Sequence, residues 1–213
     1  HLDHDGRWDV LMPGFLGRAA QLWLGCDRDL VARTAGRGLD RYLGDVSLLL
    51  DVDNDGDQDL VCARVERAGV DVFENRGRGR FATEPRTSPT RGVPLSVSSL
   101  AAADVDQDGV LDLYLAAHDA PDILLLGDGA GGFQEASPAA APTLTADRIS
   151  NGAVFTDLDG DGDLDLVVSG TGELLNDGGR FVPGEAMAGV NLEMVEGVTV
   201  ADLDGDAHAD LYL

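Results

Sequence analysis

An aspartate-rich motif recurs five times along the chain at a near-constant period. Its template is D-x-D-x-D-G-x-x-D-[LV], and its copies begin at His1, Asp51, Asp104, Asp157 and Asp202. The third positions of successive copies are 50, 53, 53 and 45 residues apart. Self-similarity at such a period is typical of repeat proteins in which each repeat is one supersecondary unit. This repeat constrains the fold more than any other feature of the sequence.

Short apolar runs flank each copy of the motif. Val- and Leu-rich residues precede it, as in "VSLLL" at 46–50, and follow it, as in "DLVCARV" at 59–65. A third run comes next, and in three repeats a glycine-rich turn then leads to Phe81, Phe133 or Phe181. Runs of this length between Gly, Asn and Asp are typical of strands and hairpins, and no helical period is present. We therefore predict an all-β chain: a β-propeller, or part of one, built from four-stranded antiparallel blades.

The repeat also sets the expected domain organisation. We expect one repeat domain over residues 1–213, with approximate blades at 1–40, 41–92, 93–146, 147–194 and 195–213. The first and last blades are incomplete, because the sequence starts inside a motif and stops after the second run of a fifth unit. Residues 197–201 could complete the first blade and close a four-bladed propeller. A fragment of a larger propeller is the preferred interpretation, because closure would leave the last run, "DLYL", without a blade.

The spacing of the carboxylates predicts a calcium site in each motif. Side chains at positions 1, 3, 5 and 9, with the carbonyl at position 7, can surround one point if glycine at position 6 takes a positive φ. Ca²⁺ prefers such sets of hard oxygen ligands, whereas Mg²⁺ keeps its waters and zinc prefers His or Cys. An EF-hand is excluded, since its loop closes with Glu at position 12 between helices. Solvated Asp–Gly turns are the alternative, but five copies in register favour metal loops.

The candidate ligands follow from the template, and we expect about three to five Ca²⁺ ions. The carboxylates are Asp3, Asp5, Asp9, Asp51, Asp53, Asp55, Asp59, Asp104, Asp106, Asp108, Asp112, Asp157, Asp159, Asp161, Asp165, Asp202, Asp204, Asp206 and Asp210. Position 7 is occupied by Asp57, Val110, Asp163 and His208, each of which would contribute its carbonyl.

The five copies differ in completeness. The loops that begin at Asp51, Asp104 and Asp157 have every feature of the template. The last loop has Ala207 in place of glycine, which costs about 1 kcal/mol if φ is positive there. The first loop has His1 where a carboxylate belongs, and imidazole is a poor Ca²⁺ ligand. We therefore expect weaker binding in the last loop and the weakest in the first.

Strand, aspartate loop, second strand and the "NRGRGRF" turn at 75–81 together resemble the FG-GAP/VCBS repeat. This repeat is shared by integrin-α-like propellers and cartilage-acidic-protein-like extracellular proteins, and the resemblance covers essentially the whole chain. It implies a β-propeller with Ca²⁺ in the hairpin loop between the first two strands of each blade. It also implies a secreted or cell-surface protein that binds partners, usually without catalysis by the propeller.

Charge and composition narrow the partners and the compartment. The net charge is −24, and all 15 basic residues are arginine. Such an acidic chain disfavours nucleic acid and anionic membranes as partners, and no apolar run approaches the length of a membrane span. No leader segment is recognisable at the start, so any targeting signal is expected outside these residues. Calcium sites of modest affinity are occupied only where the Ca²⁺ concentration is near millimolar, which favours an extracellular, cell-surface or periplasmic location.

Two functions of different class remain open. The first is a calcium-binding interaction or adhesion-type module that binds a protein or glycan on the propeller face, with the remainder of the propeller or a second chain as a further partner. The second is the propeller part of a secreted carbohydrate-active enzyme, a lyase or a hydrolase. No catalytic motif is visible, and residues 84–94 and 136–148 are interpreted as blade connectors. Trp8 and Trp23 fall at or within predicted strands, which favours the first function because sugar sites use exposed aromatics.

The two cysteines leave the compartment open. Cys26 and Cys62 lie in neighbouring repeats and could form a bridge between them. The preferred interpretation is that both are small buried apolar side chains.

Overall fold

The structure is a computed structural model of the chain. It describes residues 1–14, 18–27, 29–40, 44, 46–63, 69–88, 96–118, 120–137, 140, 150–185, 187, 190, 195, 197–206 and 208–213. All regular secondary structure among these residues is β-strand, which confirms the all-β prediction. The described residues include no helix of the length and apolar character that crossing a membrane requires.

Seventeen strands are described, each three to seven residues long. They are β1 (Val10–Met12), β2 (Gln21–Cys26), β3 (Asp29–Ala32), β4 (Val46–Leu50), β5 (Asp59–Ala63), β6 (Val70–Phe73), β7 (Arg86–Ser88), β8 (Val97–Ala103), β9 (Asp112–Ala117), β10 (Ile123–Gly127), β11 (Phe133–Glu135), β12 (Ala153–Thr156), β13 (Asp165–Val168), β14 (Gly172–Asn176), β15 (Phe181–Pro183), β16 (Thr199–Ala201) and β17 (Asp210–Tyr212).

The strands form separate antiparallel sheets in which sequence neighbours pair. Three sheets have four strands, in the orders β4-β5-β6-β7, β8-β9-β10-β11 and β12-β13-β14-β15. The described part of the first repeat contributes a three-stranded sheet, β1-β2-β3, and the last contributes the pair β16-β17. Four-stranded antiparallel units are therefore confirmed, whereas closure into a propeller stays a prediction.

The second strand of each four-stranded sheet is buried along its whole length, and in the first of these sheets the third strand, β6, is as well. Every residue of β5, β9 and β13 is buried, because these strands have a neighbouring strand at each edge and packed side chains on both faces. Their sequences, "DLVCA", "DLYLAA" and "DLVV", are accordingly continuous apolar runs behind an aspartate. Runs of this kind, rather than alternating ones, are typical of strands buried on both faces. Each sheet thus offers a rigid central strand that begins at position 9 of the motif.

The chain divides into two compact units. Unit 1 comprises His1–Pro94 and Asp128–Gly132, and unit 2 comprises Leu95–Gly127 and Phe133–Leu213. Each unit has its own apolar core. In unit 1, Leu22, Leu60 and Phe73 are almost fully buried. In unit 2, Leu166, Ala116 and Val168 are likewise almost fully buried.

Several expectations need correction. Residues 84–94 are not simply a connector, because β7 lies within them at Arg86–Ser88. The sequence Arg-Thr-Ser has no apolar signal, since β7 is an edge strand with two exposed residues. Trp8 lies outside the strands and is 80% exposed, whereas Trp23 lies in β2 as expected.

The cysteines also differ from expectation. Cys62 is buried in β5, but Cys26 is exposed at the end of β2, and the two are not bridged. Only Cys62 therefore behaves as a small apolar core side chain.

Candidate metal centres

Four of the five aspartate motifs each form the loop of a β-hairpin, whereas the first motif, from His1, has no described strand before it. Thr156, the last residue of β12, pairs with Asp165, the first residue of β13, and the equivalent pairs are Leu50 with Asp59, Ala103 with Asp112 and Ala201 with Asp210. Positions 1–8 of the motif therefore span the gap between two paired strand ends. This geometry makes each loop a closed turn anchored at both ends by the sheet.

Two residues in each loop need a left-handed backbone. Glycine at position 6 has a φ of 79° to 95° in the four described cases, Gly6, Gly56, Gly109 and Gly162. The prediction that this position needs a positive φ is therefore confirmed for these loops. Position 4 is also left-handed, with a φ of 58° to 83° at His4, Asn54, Gln107, Gly160 and Gly205. Ala207, at position 6 of the last loop, lies outside the described residues.

The carboxylates at positions 1, 3 and 5 fold the loop inward through hydrogen bonds to its own backbone. In the loop from Asp104, the Asp104 carboxylate accepts the N–H groups of Asp108 (3.0 Å) and Gly109 (2.9 Å). Asp106 accepts the N–H of Asp108 at 3.3 Å, and Asp108 accepts that of Val110 at 2.8 Å. These bonds use both oxygens of Asp104 and one oxygen each of Asp106 and Asp108, and they leave the remaining lone pairs of these carboxylates for another partner.

Aspartate at position 9 joins the loop to the third strand of its sheet. Asp165 is fully buried, and its two oxygens accept the N–H groups of Leu158 in the loop and Asn176 in β14, each at 2.8 Å. Asp112 repeats the pattern with the N–H groups of Val105 and Gly127, each at 2.9 Å. Asp59 and Asp9 make the equivalent bonds in their sheets. Position 9 is thus a structural anchor whether or not an ion is bound.

Carboxylate oxygens converge in four of the loops. Within each group, the facing oxygens all lie within 4.8 Å of one another. The groups are Asp51, Asp53 and Asp59; Asp104, Asp106 and Asp108; Asp157, Asp159 and Asp165; and Asp202, Asp204 and Asp206. Like charges at such distances repel, so a cation would stabilise each arrangement.

The second loop passes a more specific test of fit to a cation. Oδ1 of Asp53 is buried and has no hydrogen-bond partner. A buried carboxylate oxygen without a donor costs free energy unless a cation or another group satisfies it. The candidate ligand atoms around it are all oxygen, and such a set suits Ca²⁺ and does not suit zinc.

The pKa values of these carboxyl groups reflect the loss of water around them. Burial raises the pKa of Asp59 to about 6, against hydrogen bonds from Asn75 and Val52 that lower it, with Asp53 and Asp55 raising it further. Burial raises the pKa of Asp112 to about 6 in the same way. Desolvation and neighbouring carboxylates also raise the pKa of Asp53. These groups hold protons more tightly than ordinary aspartates, so protons should compete with a bound cation.

The first loop is electrostatically different. Nη1 of Arg7 lies 3.1 Å from Oδ2 of Asp5, and Nη2 lies 2.8 Å from Asp27. A hydrogen bond from the N–H of Arg7, assisted by its guanidinium, lowers the pKa of Asp5. A built-in cation therefore already neutralises part of this loop. Among the described residues, Asp3, Asp5 and Asp9 do not form a converging group of carboxylate oxygens like those of the other four loops.

The remaining predicted ligands lie in the loops but outside the four converging groups, namely Asp55, Asp112, Asp161 and Asp210. Those at position 7 contribute no converging side chain either. Asp57 contacts the His4 ring, Gln107 donates to Asp163, and Val110 and His208 are held by their backbone N–H groups.

Sequence reasoning missed two sets of residues. The left-handed residues at position 4 are the first set, although His, Asn, Gln, Gly and Gly there include the residue types that tolerate this conformation. The second is an asparagine at or just beyond the end of the third strand. Nδ2 of Asn176 donates to the carbonyls of Val105 (2.8 Å) and Leu164 (3.2 Å), which joins consecutive loops of unit 2. Asn75 does the same in unit 1, with the carbonyls of Leu2 (3.4 Å) and Gln58 (3.2 Å).

Solved structures of two proteins align with most of this chain. The chain resembles a lectin from Agrocybe aegerita that recognises non-reducing terminal N-acetylglucosamine, with 21% identity and a TM-score of 0.50. The alignment covers 92% of this chain and 46% of the lectin. The V. cholerae biofilm matrix protein Bap1 aligns at 15% identity and a TM-score of 0.49, over 95% of this chain and 33% of Bap1. The chain thus spans less than half the length of either protein, and no curated protein matches it.

The sequence match is to a repeat family. Residues 51–115 and 108–168 each match the FG-GAP-like repeat, and together they span more than half of the chain. The matched stretches contain the loops from Asp51, Asp104 and Asp157, the three with a complete motif. The chain belongs to the FG-GAP-like repeat family.

Proposed function

We propose that this chain is a calcium-stabilised binding module that works outside the cytoplasm. Its aspartate loops hold Ca²⁺ as a structural ion, and its surface binds a protein or a glycan. The ligands are the carboxylates at positions 1, 3, 5 and 9 and the carbonyl at position 7. The three complete loops bind most tightly, and the first loop, where Arg7 already pairs with Asp5, binds least.

The buried Oδ1 of Asp53 carries this proposal. It has no donor, and a carboxylate oxygen of Asp53 lies within 4.8 Å of oxygens of Asp51 and Asp59. The loop is closed at its ends by the paired strands β4 and β5, which keeps these carboxylates on one short turn. A divalent cation satisfies the buried oxygen and the surplus negative charge at once. Five such ions would change the formal charge from −24 to about −14.

Calcium then acts on stability rather than on chemistry. The ion binds the folded loop and not the unfolded chain, so it stabilises the fold by mass action. Loops of this kind need Ca²⁺ near millimolar for filling, which supports an extracellular, cell-surface or periplasmic location. The net charge of −24 argues against a nucleic-acid partner.

A sugar-directed function has one observation in its favour. Trp8 is 80% exposed, and its ring lies 5.1 Å from that of His1. Exposed aromatic rings are platforms for sugar binding, so the propeller part of a secreted carbohydrate-active enzyme is the second candidate. Turnover of a polysaccharide by the purified chain would establish the enzyme; binding without turnover would favour the module.

Calcium content per chain tests the metal assignment at single-residue level. We expect Asp53→Asn to lose one bound Ca²⁺ relative to wild type, because Oδ1 of Asp53 is a ligand. Asp57→Asn is the matched control in the same loop, since Asp57 contributes only its carbonyl. Equal calcium content in wild type and Asp53→Asn would contradict the proposal, as would an equal loss in Asp57→Asn.

A further inference from the structure

A basic depression lies in unit 1, between the turn that follows β3 and the glycine-rich hairpin that follows β6. It has a volume of about 520 Å³ and is lined by residues 32–37 and Arg80. Arg33, Arg37 and Arg80 are among its lining residues, and none of the described residues that line it is acidic. We call this depression the basic pocket.

The charge of the basic pocket is opposite to that of the chain. The net charge is −24, yet five of the 15 arginines lie in two short segments, at positions 33, 37, 76, 78 and 80. Arg33, Arg78 and Arg80 are exposed, and none of them forms an ion pair with a described residue. Because Arg33 and Arg80 line the same depression, their like charges would favour an anion bound there.

The fold does not require arginine in this hairpin. The sequence is "NRGRGRF" at 75–81, whereas the equivalent hairpin of the next sheet is "GDGAGGF" at 127–133. Aspartate, alanine and glycine therefore replace the three arginines in a turn with the same spacing. The hairpin at 176–181, "NDGGRF", has a single arginine, so three arginines are not needed to form such a turn.

The two walls of the basic pocket are fixed to one another. Nη1 of Arg37 donates to the carbonyls of Arg78 and Gly79, the latter at 3.2 Å, and the N–H of Phe81 donates to the carbonyl of Arg37 at 3.0 Å. A Cβ on Gly38 would lie 2.2 Å from the Phe81 oxygen, so glycine is needed for this close approach. The arginines of the pocket are thus held on a prearranged frame, which lowers the entropy cost of binding.

We propose that the basic pocket binds an oxyanion carried on a sugar, either the carboxylate of a uronic acid or a sulfate ester. The planar, forked guanidinium group matches such oxyanions with paired hydrogen bonds. The volume of about 520 Å³ suits a small ligand. Thr34 accepts the N–H of Leu22 at 3.0 Å, so its hydroxyl hydrogen is left to donate to a ligand.

The lining distinguishes a sugar from an acidic peptide. Among the described residues that line the pocket, Ala32 and Ala35 alone have wholly apolar side chains, and their methyl groups are too small to form a subsite for the apolar side chains of a peptide. The hydroxyl groups of a sugar can remain in water while its oxyanion is bound. This site uses none of the aspartate loops, so it extends the proposed function without depending on the calcium assignment.

The test is the binding of defined oligosaccharides by calorimetry, with Ca²⁺ buffered at about 1 mM so that the loops are filled. We expect a glucuronate hexasaccharide or a sulfated hexasaccharide to bind, with an affinity that falls as salt is added. A glucose hexasaccharide of the same linkage should not bind. A glutamate hexapeptide that binds as tightly as the acidic sugars would overturn the sugar assignment in favour of a peptide site.

Variants locate the site. The loss of one charged contact weakens binding about tenfold. The double variant Arg33→Gln, Arg80→Gln should therefore raise the Kd of an acidic sugar at least tenfold. Arg180→Gln is the matched control, because Arg180 precedes Phe181 in its hairpin as Arg80 precedes Phe81. Its affinity should equal that of wild type, and circular dichroism checks the fold of each variant. Equal weakening by both changes, or no binding of any acidic sugar, would overturn the proposal even if calcium still stabilises the chain.

Discussion

Asp165→Asn separates the structural role of position 9 from its role toward the metal. Asp165 is fully buried, and its oxygens accept two backbone N–H groups, each at 2.8 Å. Asparagine keeps one acceptor but turns an amide N–H₂ toward the other donor. One charged hydrogen bond is lost and one buried N–H is left unpaired, which costs about 2–4 kcal/mol of unfolding free energy without calcium.

Calcium should enlarge this loss. If the wild-type loop is filled at about 100 times its Kd, Ca²⁺ adds about 2.7 kcal/mol of stability that the variant lacks. Urea unfolding of both proteins, once in EDTA and once in saturating Ca²⁺, measures the two contributions separately. We therefore expect a destabilisation of about 2–4 kcal/mol in EDTA and about 5–7 kcal/mol in Ca²⁺.

Asp177→Asn is the matched control, because it removes the same charge from the exposed hairpin that follows β14. It should change the unfolding free energy by less than about 0.5 kcal/mol in either condition. A loss for Asp165→Asn that is no larger than the control would refute the anchoring role. An equal loss in EDTA and in Ca²⁺ would refute the metal role and leave the anchor.

Three further predictions follow from the loop geometry. Gly109→Ala should lower the unfolding free energy by about 1 kcal/mol, because φ at Gly109 is 87° and the new methyl group meets only open space, so the cost is backbone strain alone. Thermal unfolding measures this cost, and Gly197→Ala is the control, because Gly197 has an ordinary φ and open space around it. Asn176→Ala should cost about 1–3 kcal/mol, since it leaves two carbonyls without their donor, and urea unfolding measures it. The calcium-induced rise in Tm should be smaller at about pH 5 than at about pH 7.5, because Asp59 and Asp112, each with a pKa of about 6, bind protons that compete with Ca²⁺.

Without calcium, the contribution of these two carboxyl groups to stability falls as the pH rises, whereas the calcium-induced rise in Tm grows with pH. A folded-state pKa of about 6 lies above the ordinary 3.8, so each of these carboxyl groups adds stability that is fully present below about pH 4. That stability is lost as the pH rises through about 6. Equal calcium-induced rises at both pH values would contradict the competition. Equal midpoints for Gly109→Ala and Gly197→Ala would contradict the strain, and an unchanged Asn176→Ala would contradict the joining of the two loops.

The repeat predicted the sheets well because its signal is physical at each step. Glycine at position 6 is the residue that a φ near 90° requires, and the apolar run behind Asp59, Asp112 or Asp165 is a strand buried on both faces. Strand β7 could not be predicted in the same way. Its sequence is polar because it lies at a sheet edge, where hydrogen bonding alone defines the strand.

The site was less predictable than the sheets. The template places the carboxylates at fixed spacings, but it does not show that Arg7 pairs with Asp5 and so changes the first loop. Asn176 joins consecutive loops through a contact 71 residues away in sequence, which no local pattern encodes. Such contacts depend on how one sheet packs against the next.

Thermal unfolding of the whole chain in EDTA, in Ca²⁺ and in Mg²⁺ tests the central claim, that the aspartate loops hold calcium as a structural ion. Filling several loops to about 100 times their Kd adds about 2.7 kcal/mol per loop, so the midpoint should rise by many degrees in Ca²⁺. Mg²⁺ at the same concentration should give little or no rise, because it keeps its waters and needs a tighter octahedral set of ligands. A folded chain whose midpoint is the same in EDTA and in Ca²⁺ would contradict the account and leave the loops as solvated turns.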